Sequence, residues 1–475
     1  MIDLLSNAAG GRVVGCNDEF FAPAENLLLN SEPVWRDGEY TDRGKWMDGW
    51  ETRRRREPGH DWCVLALGIP GRVRRVTVDT SHFTGNYPEE FSLEANGVGS
   101  DERVVGAGWE TLISPTKLSG DSVASFEVDD PHRVTHLRLN IFPDGGIARL
   151  RAEGDPIPSS QEVCPGGPVD LVSAMVGGAA VSVSDRHYSD PANMLRPTVP
   201  AGMWDGWETR RRRGPGHDWA VLRLGLEGVI EEVLVDTTHF KGNAPGRVSV
   251  DVSVDGETWT VAVESAPVKV DAPNRIRLPR PTHARLVRLG IHPDGGVARL
   301  RVLGRPDPEA AGEKRVLYLN CLFDHEATRF FLAACAVPEW VDQMMSGRPH
   351  HDVAGVLAAA EHAFDSLEEP AWLEAFASHP RIGERGDDTS EREQIGVLGA
   401  GRAVLRELAE VNAKYEEKYG FTYIVHATGK GASEMLDIAR GRLDNSRDEE
   451  IAVAADEQRA ITATRLRRML CQETS

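Results

Sequence analysis

The residues best suited to chemistry occur in two ordered sets. Asp48-Gly-Trp-Glu-Thr-Arg-Arg-Arg-Arg56 followed by Pro58-Gly-His-Asp-Trp62 returns as Asp205-Gly-Trp-Glu-Thr-Arg-Arg-Arg-Arg213 followed by Pro215-Gly-His-Asp-Trp219, each position 157 residues on. Along a strand, alternate residues share a face, so Arg53 would stand beside Arg55 and Arg210 beside Arg212. Two guanidinium groups on one face grip a small carboxylate by paired N–H bonds. Glu51, His60 and Asp61, with their counterparts Glu208, His217 and Asp218, add acid–base groups and acceptors for amide N–H. A second repeated stretch, Val78-Asp-Thr-Ser-His-Phe-Thr-Gly-Asn86 and Val235-Asp-Thr-Thr-His-Phe-Lys-Gly-Asn243, brings His82 and His239 to the end of a strand, where they could close such a site. The competing reading makes the arginines a solvated edge, Trp50 and Trp62 core, and the glycines turns. A metal at His60, Asp61 and His82 is chemically conceivable, but no compact ligand motif supports it.

The elements that must position these groups follow from the extent of the duplication. Pro143-Asp-Gly-Gly recurs as Pro293-Asp-Gly-Gly, now 150 residues on. A unit of about 150 residues is a duplicated domain, not a solenoid repeat of about 20–50. Residues 1–153 and 168–304 alternate polar and apolar positions between Gly, Pro and Asp turns. Val248, Val250, Val252 and Val254 then Trp259, Val261 and Val263, on either side of Asp255-Gly256, predict a hairpin with one buried face. Each copy is expected to be an antiparallel β-sandwich. The stretches 153–168 and 304–314 have the Pro/Gly/polar composition of linkers. From about 315 to 475 the apolar period becomes helical, at Val353, Val356, Leu357, Ala360, Ala363 and Phe364 and again from Val404 to Tyr419, with Pro370 in a first turn. An all-α domain is predicted there.

Composition sets limits. The 475 residues suggest about three domains. A net charge of −20 argues against nucleic-acid binding despite the arginine tetrads. The six cysteines form no CxxC pair and predict neither a zinc site nor a disulfide framework. With no signal-like N-terminus and no long apolar run, a cytoplasmic protein without a membrane partner is expected.

The duplicated motifs closely resemble the allantoicase family over residues 1 to about 304. That resemblance implies two jelly-roll sandwiches and hydrolysis of allantoate to ureidoglycolate and urea, with His60 or His217 as acid and Glu51, Asp61, Glu208 or Asp218 activating water. The copies differ where Asn140 and Phe142 become Gly290 and His292, and nothing in the sequence says which copy works. In the helical part, His379-Pro-Arg-Ile-Gly383, Ser390-Glu-Arg-Glu-Gln394, Gly420-Phe-Thr-Tyr-Ile-Val425 and Arg465 read singly as helix ends, a capping box and a surface charge. Together they resemble the 2-oxo-4-hydroxy-4-carboxy-5-ureidoimidazoline (OHCU) decarboxylase family over about 316–471. The resemblance implies His379 as catalytic acid/base, with Glu393 near enough in sequence to orient it. Pro380, Ser390, Gln394, Ile424, Val425 and Arg465 would line the substrate site, and the product would be (S)-allantoin. Thr422 departs from the proline of many relatives. Neither reaction needs a cofactor, the implied partners are the two small-molecule substrates, and a homo-oligomer is expected. The rival reading keeps the decarboxylase and makes the sandwich pair an inactive ureide- or sugar-binding module.

Overall fold

The computed structural model describes residues 1–97, 101–104, 108–379 and 402–470. They fall into two compact units, Met1–Phe323 and Asp324–Ser475.

The first unit is built twice on one plan. In the first copy the strands are β1 (Arg12–Cys16), β2 (Asp61–Asp79), β3 (Glu90–Asn96), β4 (Glu110–Lys117), β5 (Val123–Glu127), β6 (Val134–Phe142) and β7 (Arg149–Pro156). The second copy has β8 (Ala179–Val183), β9 (Asp218–Asp236), β10 (Arg247–Ser253), β11 (Thr260–Pro267), β12 (Pro273–His292) and β13 (Arg299–Pro306). The long β2 serves both layers of its sandwich. Its first part, from Asp61 to Ala66, pairs with β6 and β1, and its second part, from Gly71 to Asp79, pairs with β7 and β5. The turn between layers needs glycine. A Cβ on Gly71 would lie 2.3 Å from the Asp155 carbonyl oxygen, and one on its counterpart Gly228 would lie 2.2 Å from that of Arg305.

One buried apolar cluster runs through both copies. It joins Leu4, Leu5, Trp50, Leu139 and Leu150 to Leu171, Val172, Trp207, Leu289 and Leu300. The Thr198 hydroxyl of the second copy also donates to the Ala8 carbonyl of the first at 2.9 Å. Residues 153–168, expected to be a linker, instead complete β7 and then make a short helical turn, Ser160–Val163, whose Val163 is fully buried.

The second expected linker is also structured. Gly304-Arg-Pro ends β13, and α1 (Pro308–Asn320) follows at once, burying Ala311, Val316 and Leu319. Pro308 sits in the first turn, where its missing N–H costs no helical bond. The division between units therefore falls at 323/324, not near 315. Cys16, Cys63, Cys321 and Cys335 are free thiols.

The second unit is helical throughout its named elements: α2 (Asp324–Ala334), α3 (Pro338–Ser346), α4 (Val353–Asp365), α5 (Glu369–Ala377), α6 (Arg402–Tyr419), α7 (Ala432–Arg442) and α8 (Arg447–Met469). Local chemistry sets their starts. Asp352 accepts the Gly355 amide ahead of α4 at 2.7 Å, Pro370 lies in the first turn of α5, and Ser446 with Glu449 forms a capping box on α8. Among the described residues no helix is long and apolar enough to cross a membrane.

Candidate functional site

The repeated Trp-Glu pair is a two-residue strand. Glu51 pairs with Gly146 and Trp50 with Ile147; in the second copy Glu208 pairs with Gly296 and Trp207 with Val297. Each indole is fully buried and donates Nε1–H to a main-chain carbonyl, Trp50 to Asp18 at 2.8 Å and Trp207 to Asp185 at 2.9 Å. The tryptophans are thus core, and they fix the glutamate one position on. Glu51 is half-buried and its Oε1 accepts the Asn86 amide at 2.7 Å; Asn243 and Glu208 make the same bond at 2.5 Å. Burial raises the Glu51 carboxyl above the ordinary carboxylate range, and the Asn86 bond only partly offsets this.

Beyond Glu51 the chain leaves the strand, so the arginines do not alternate across a sheet as expected. Arg53 and Arg55 are occupied by the protein's own carboxylates. Arg53 Nη2 lies 2.6 Å from Asp18 Oδ2, and Arg55 Nη1 lies 2.6 Å from Asp61 Oδ1 while its amide donates to Asp144 Oδ2 at 2.8 Å. The second copy repeats this with Arg210 on Asp185 at 3.2 Å, Arg212 on Asp218, and the Arg212 amide on Asp294 at 2.7 Å. Arg54, Arg56, Arg211 and Arg213 are exposed and have no carboxylate partner among the described residues. In the first copy Glu51, the arginines Arg53, Arg54, Arg55 and Arg56, and Asn86, Tyr87 and Asp144 line a cleft of about 630 Å³, so the expected Arg53 and Arg55 do lie at it, paired as they are.

The structure does not gather all of the sequence-derived candidates. His60 packs against Phe142 with ring centroids 4.8 Å apart and the planes tilted by 40°, and it lines a different cavity, which shares no residue with the Glu51 cleft. His217 stacks on His292 at 4.1 Å. His82 and His239 adopt positive φ, 70° and 74°, and turn their Nε2 atoms to the carbonyls of Pro33 at 3.4 Å and Pro200 at 3.0 Å. Neither lines the cleft. Asp61 and Asp218 are buried anchors for arginine. The metal triad His60, Asp61 and His82 is not assembled. Among the described residues the group of imidazole and carboxylates near enough to share an ion is Glu227, His283 and Asp307. Sequence reasoning did not single out Asn86, Asp144, Arg54 and Arg56, which line the cleft, although Asn86 closes one repeated motif and Asp144 lies within another.

In the helical unit His379 follows α5, half-buried, its amide donating to the Phe376 carbonyl at 3.2 Å. Pro380, Ser390, Glu393 and Gln394 lie outside the described residues. Ile424 and Val425 are buried in the non-helical stretch between α6 and α7. That stretch hangs on a buried ion pair. Arg442 Nη1 donates to the Ile424 carbonyl at 2.8 Å, while Arg442 Nε and Nη2 hold the fully buried Glu450 at 2.7 and 2.6 Å. Asn445 and the Tyr415 hydroxyl complete the carboxylate's partners. Burial and the adjoining Glu450 push the Tyr415 hydroxyl well above its ordinary range. Arg465 lies half-buried on α8.

The fold and cleft together define a tandem β-sandwich protein with an arginine-rich, loop-built mouth, followed by an all-helical unit. Residues 2–157 and 169–307 each match the model of the allantoicase repeat, and the chain belongs to the allantoicase family. Residues 320–467 match the OHCU decarboxylase model. The chain is 43% identical over 318 residues to a probable allantoicase of Pseudomonas paraeruginosa, covering 64% of this chain and 96% of that one. It is also 43% identical over 319 residues to probable allantoicase 2 of Burkholderia pseudomallei, covering 64% and 94%. The crystal structure of allantoicase from Saccharomyces cerevisiae aligns with a TM-score of 0.53 at 34% identity, over 64% of this chain and 92% of that one.

Proposed function

We infer that this chain is a bifunctional enzyme of purine breakdown: its sandwich pair hydrolyses allantoate to ureidoglycolate and urea, and its helical unit decarboxylates OHCU to (S)-allantoin. The two matched families, spanning nearly the whole chain, support both activities. The reactions are not consecutive, because the allantoin ring must be opened between them.

For allantoate hydrolysis the observation that carries the site is Glu51, a carboxyl with a raised pKa in a cleft lined by arginines. Allantoate carries one carboxylate and two ureido groups on a single carbon. Arg54 and Arg56, which have no carboxylate partner among the described residues, hold the substrate carboxylate. Glu51 takes a proton from water as the water oxygen bonds to the central carbon. The carbon–nitrogen bond to one ureido group breaks, and Glu51 returns the proton to the departing nitrogen. One water is consumed and urea leaves neutral. A carboxyl raised toward neutrality suits both halves of this transfer. In the decarboxylase unit His379 moves the proton that replaces CO2, and Arg465 faces the developing negative charge.

The test is Glu51→Gln, which keeps the hydrogen-bonding shape and removes the proton carrier. Urea release should fall by about 10²–10⁴ with (S)-allantoin formation unchanged. Urea release at the native rate would remove Glu51 from the mechanism. Glu208→Gln, measured beside it, reports the share carried by the second copy.

A further inference from the structure

The repeated stretches that end in Asn86 and Asn243 bring no acid, base or cation to the cleft, and the packing around them gives them another task. Phe83 and Phe240 are fully buried. Each ring lies against a glycine of the repeated Pro-Asp-Gly-Gly turn. A Cβ on Gly146 would lie 2.1 Å from the Phe83 ring, and one on Gly296 would lie 2.0 Å from that of Phe240. The same two glycines donate their amides to the main-chain carbonyls of Asn86 and Asn243, at 2.7 and 2.8 Å. They are also the strand partners of Glu51 and Glu208. The buried ring, the bare glycine and the carbonyl bond therefore lock each asparagine beside the strand pair that holds its glutamate.

From that place the side-chain amide reaches the carboxylate. Asn86 Nδ2 donates to Glu51 Oε1 at 2.7 Å, and Asn243 Nδ2 to Glu208 Oε1 at 2.5 Å. An ionised carboxylate only accepts, so each amide must turn an N–H, not its carbonyl, toward it. One oxygen of each carboxylate is thus committed. The other oxygen of Glu51, Oε2, has no partner among the described residues and is not shut away from solvent, so it is the oxygen that meets the cleft. An N–H bond favours the charged form of a carboxyl, whereas burial favours the neutral one. Both act on Glu51, and the Asn86 amide opposes the burial. Around this pair the copies differ, with Thr84 and Tyr87 replaced by Lys241 and Ala244, while the phenylalanine, the glycine and the asparagine recur.

We propose, resting on Glu51 as the proton carrier of the hydrolytic cleft, that Asn86 is its positioning residue, and Asn243 that of Glu208: the amide occupies Oε1, so that the transferred proton travels on Oε2, and it holds the carboxylate ionised while water gives up its proton. Oε1 cannot take the proton without breaking the amide bond. Oε2 can take it from water and return it to the departing nitrogen with that bond undisturbed. The rival role, in which each asparagine only satisfies a half-buried acceptor and steadies its loop, predicts a loss of stability and no change in the pH at which the cleft works.

The test uses the full chain with Asn86→Ala and Asn243→Ala together, so that neither copy masks the other, and follows urea release from allantoate across pH. Without the amide the ionised form loses its support and the carboxylate keeps its proton to higher pH. The acid limb of kcat should therefore move up by about one pH unit. Below the native limb this reads as a loss of about tenfold in kcat, while KM stays within about twofold of native. Asn86→Asp with Asn243→Asp keeps the side-chain size, in case the alanine pair does not fold. It sets a second carboxylate against the first and should move the limb at least as far. Glu51→Gln with Glu208→Gln is the reference. Native urea release in that chain would remove the glutamates from the mechanism, and this proposal with them. Loss of release there, beside an acid limb that stays in its native place in the folded asparagine variants, overturns the positioning role alone, whatever their melting temperatures.

Discussion

Arg55 Nη1 lies 2.6 Å from Asp61 Oδ1, and Arg212 meets Asp218 in the same way 157 residues on. Asp61 and Asp218 are each 2% exposed. A buried carboxylate at this depth must be paired, so the third arginine of each tetrad is committed to the fold before any substrate arrives.

A division of labour within the tetrad follows. Arg54→Lys with Arg56→Lys should raise KM for allantoate by about tenfold, because lysine keeps the charge and loses the bidentate fork, while the melting temperature stays native. Arg55→Met should instead strand Asp61 and lower stability by about 3 kcal/mol, within the range for breaking a buried pair. Paired thermal melts and steady-state kinetics separate the two effects. Equal loss of stability in both variants would defeat this reading.

Asp170 offers a test in the pH dependence of stability. Burial pushes its carboxyl up to about 6, against the opposing pull of Arg301. Its folded value thus lies above its unfolded one. Between the ordinary carboxylate range and about 6 the folded state holds a proton that the unfolded chain has lost. The contribution is present at low pH and disappears as pH rises through about 6. The shift corresponds to a contribution on the order of 3 kcal/mol. Native stability should therefore decline from pH 4 to pH 8 more steeply than that of Asp170→Asn. Parallel slopes in denaturant titrations at the two pH values would contradict it.

His379→Asn separates the two active units. General acid–base groups contribute about 10²–10⁴-fold, so the variant should form allantoin at the uncatalysed rate and as a racemate. Its urea release from allantoate should be native. Chiral chromatography of the product reads this directly, and a single enantiomer formed at native rate would make His379 structural.

The position of α1 bears on dissection of the chain. A truncation after Phe323 keeps the buried faces of Ala311, Val316 and Leu319 with the sandwiches. It should stay folded and release urea. A truncation at 310 removes most of that helix and should melt at a lower temperature. Identical melting curves would show that α1 adds nothing to the first unit.

Much of this architecture was legible from pattern. Period-two runs such as Val248 to Val254 became strands, and the 3.6-residue periods at Val353–Phe364 and Val404–Tyr419 became α4 and α6. What pattern concealed was decided by partners distant in sequence. The arginine tetrad reads as an alternating edge only if the strand continues, and loop contacts from Asp18 and Asp144 end it after Glu51. Residues 304–314 have the composition of a linker, yet Pro308 serves as a helix start and Ala311 finds a buried surface. Asn140 was visible only as a difference between copies. Its amide hydrogens go to Glu94 and Ser92, 46 and 48 residues away.

The apolar cluster shared by the two sandwiches has a consequence for ancestry and engineering. Leu4 and Leu5 belong to the same dry interior as Leu171 and Val172, so a solitary copy would expose that seam to water. Such a copy would associate with a second molecule of itself across the seam, as a homodimer does. Fusion into one polypeptide made this pairing intramolecular and no longer dependent on concentration. Once joined, the two halves no longer had to be identical, and a substitution such as Asn140 against Gly290 could settle in one without being imposed on the other.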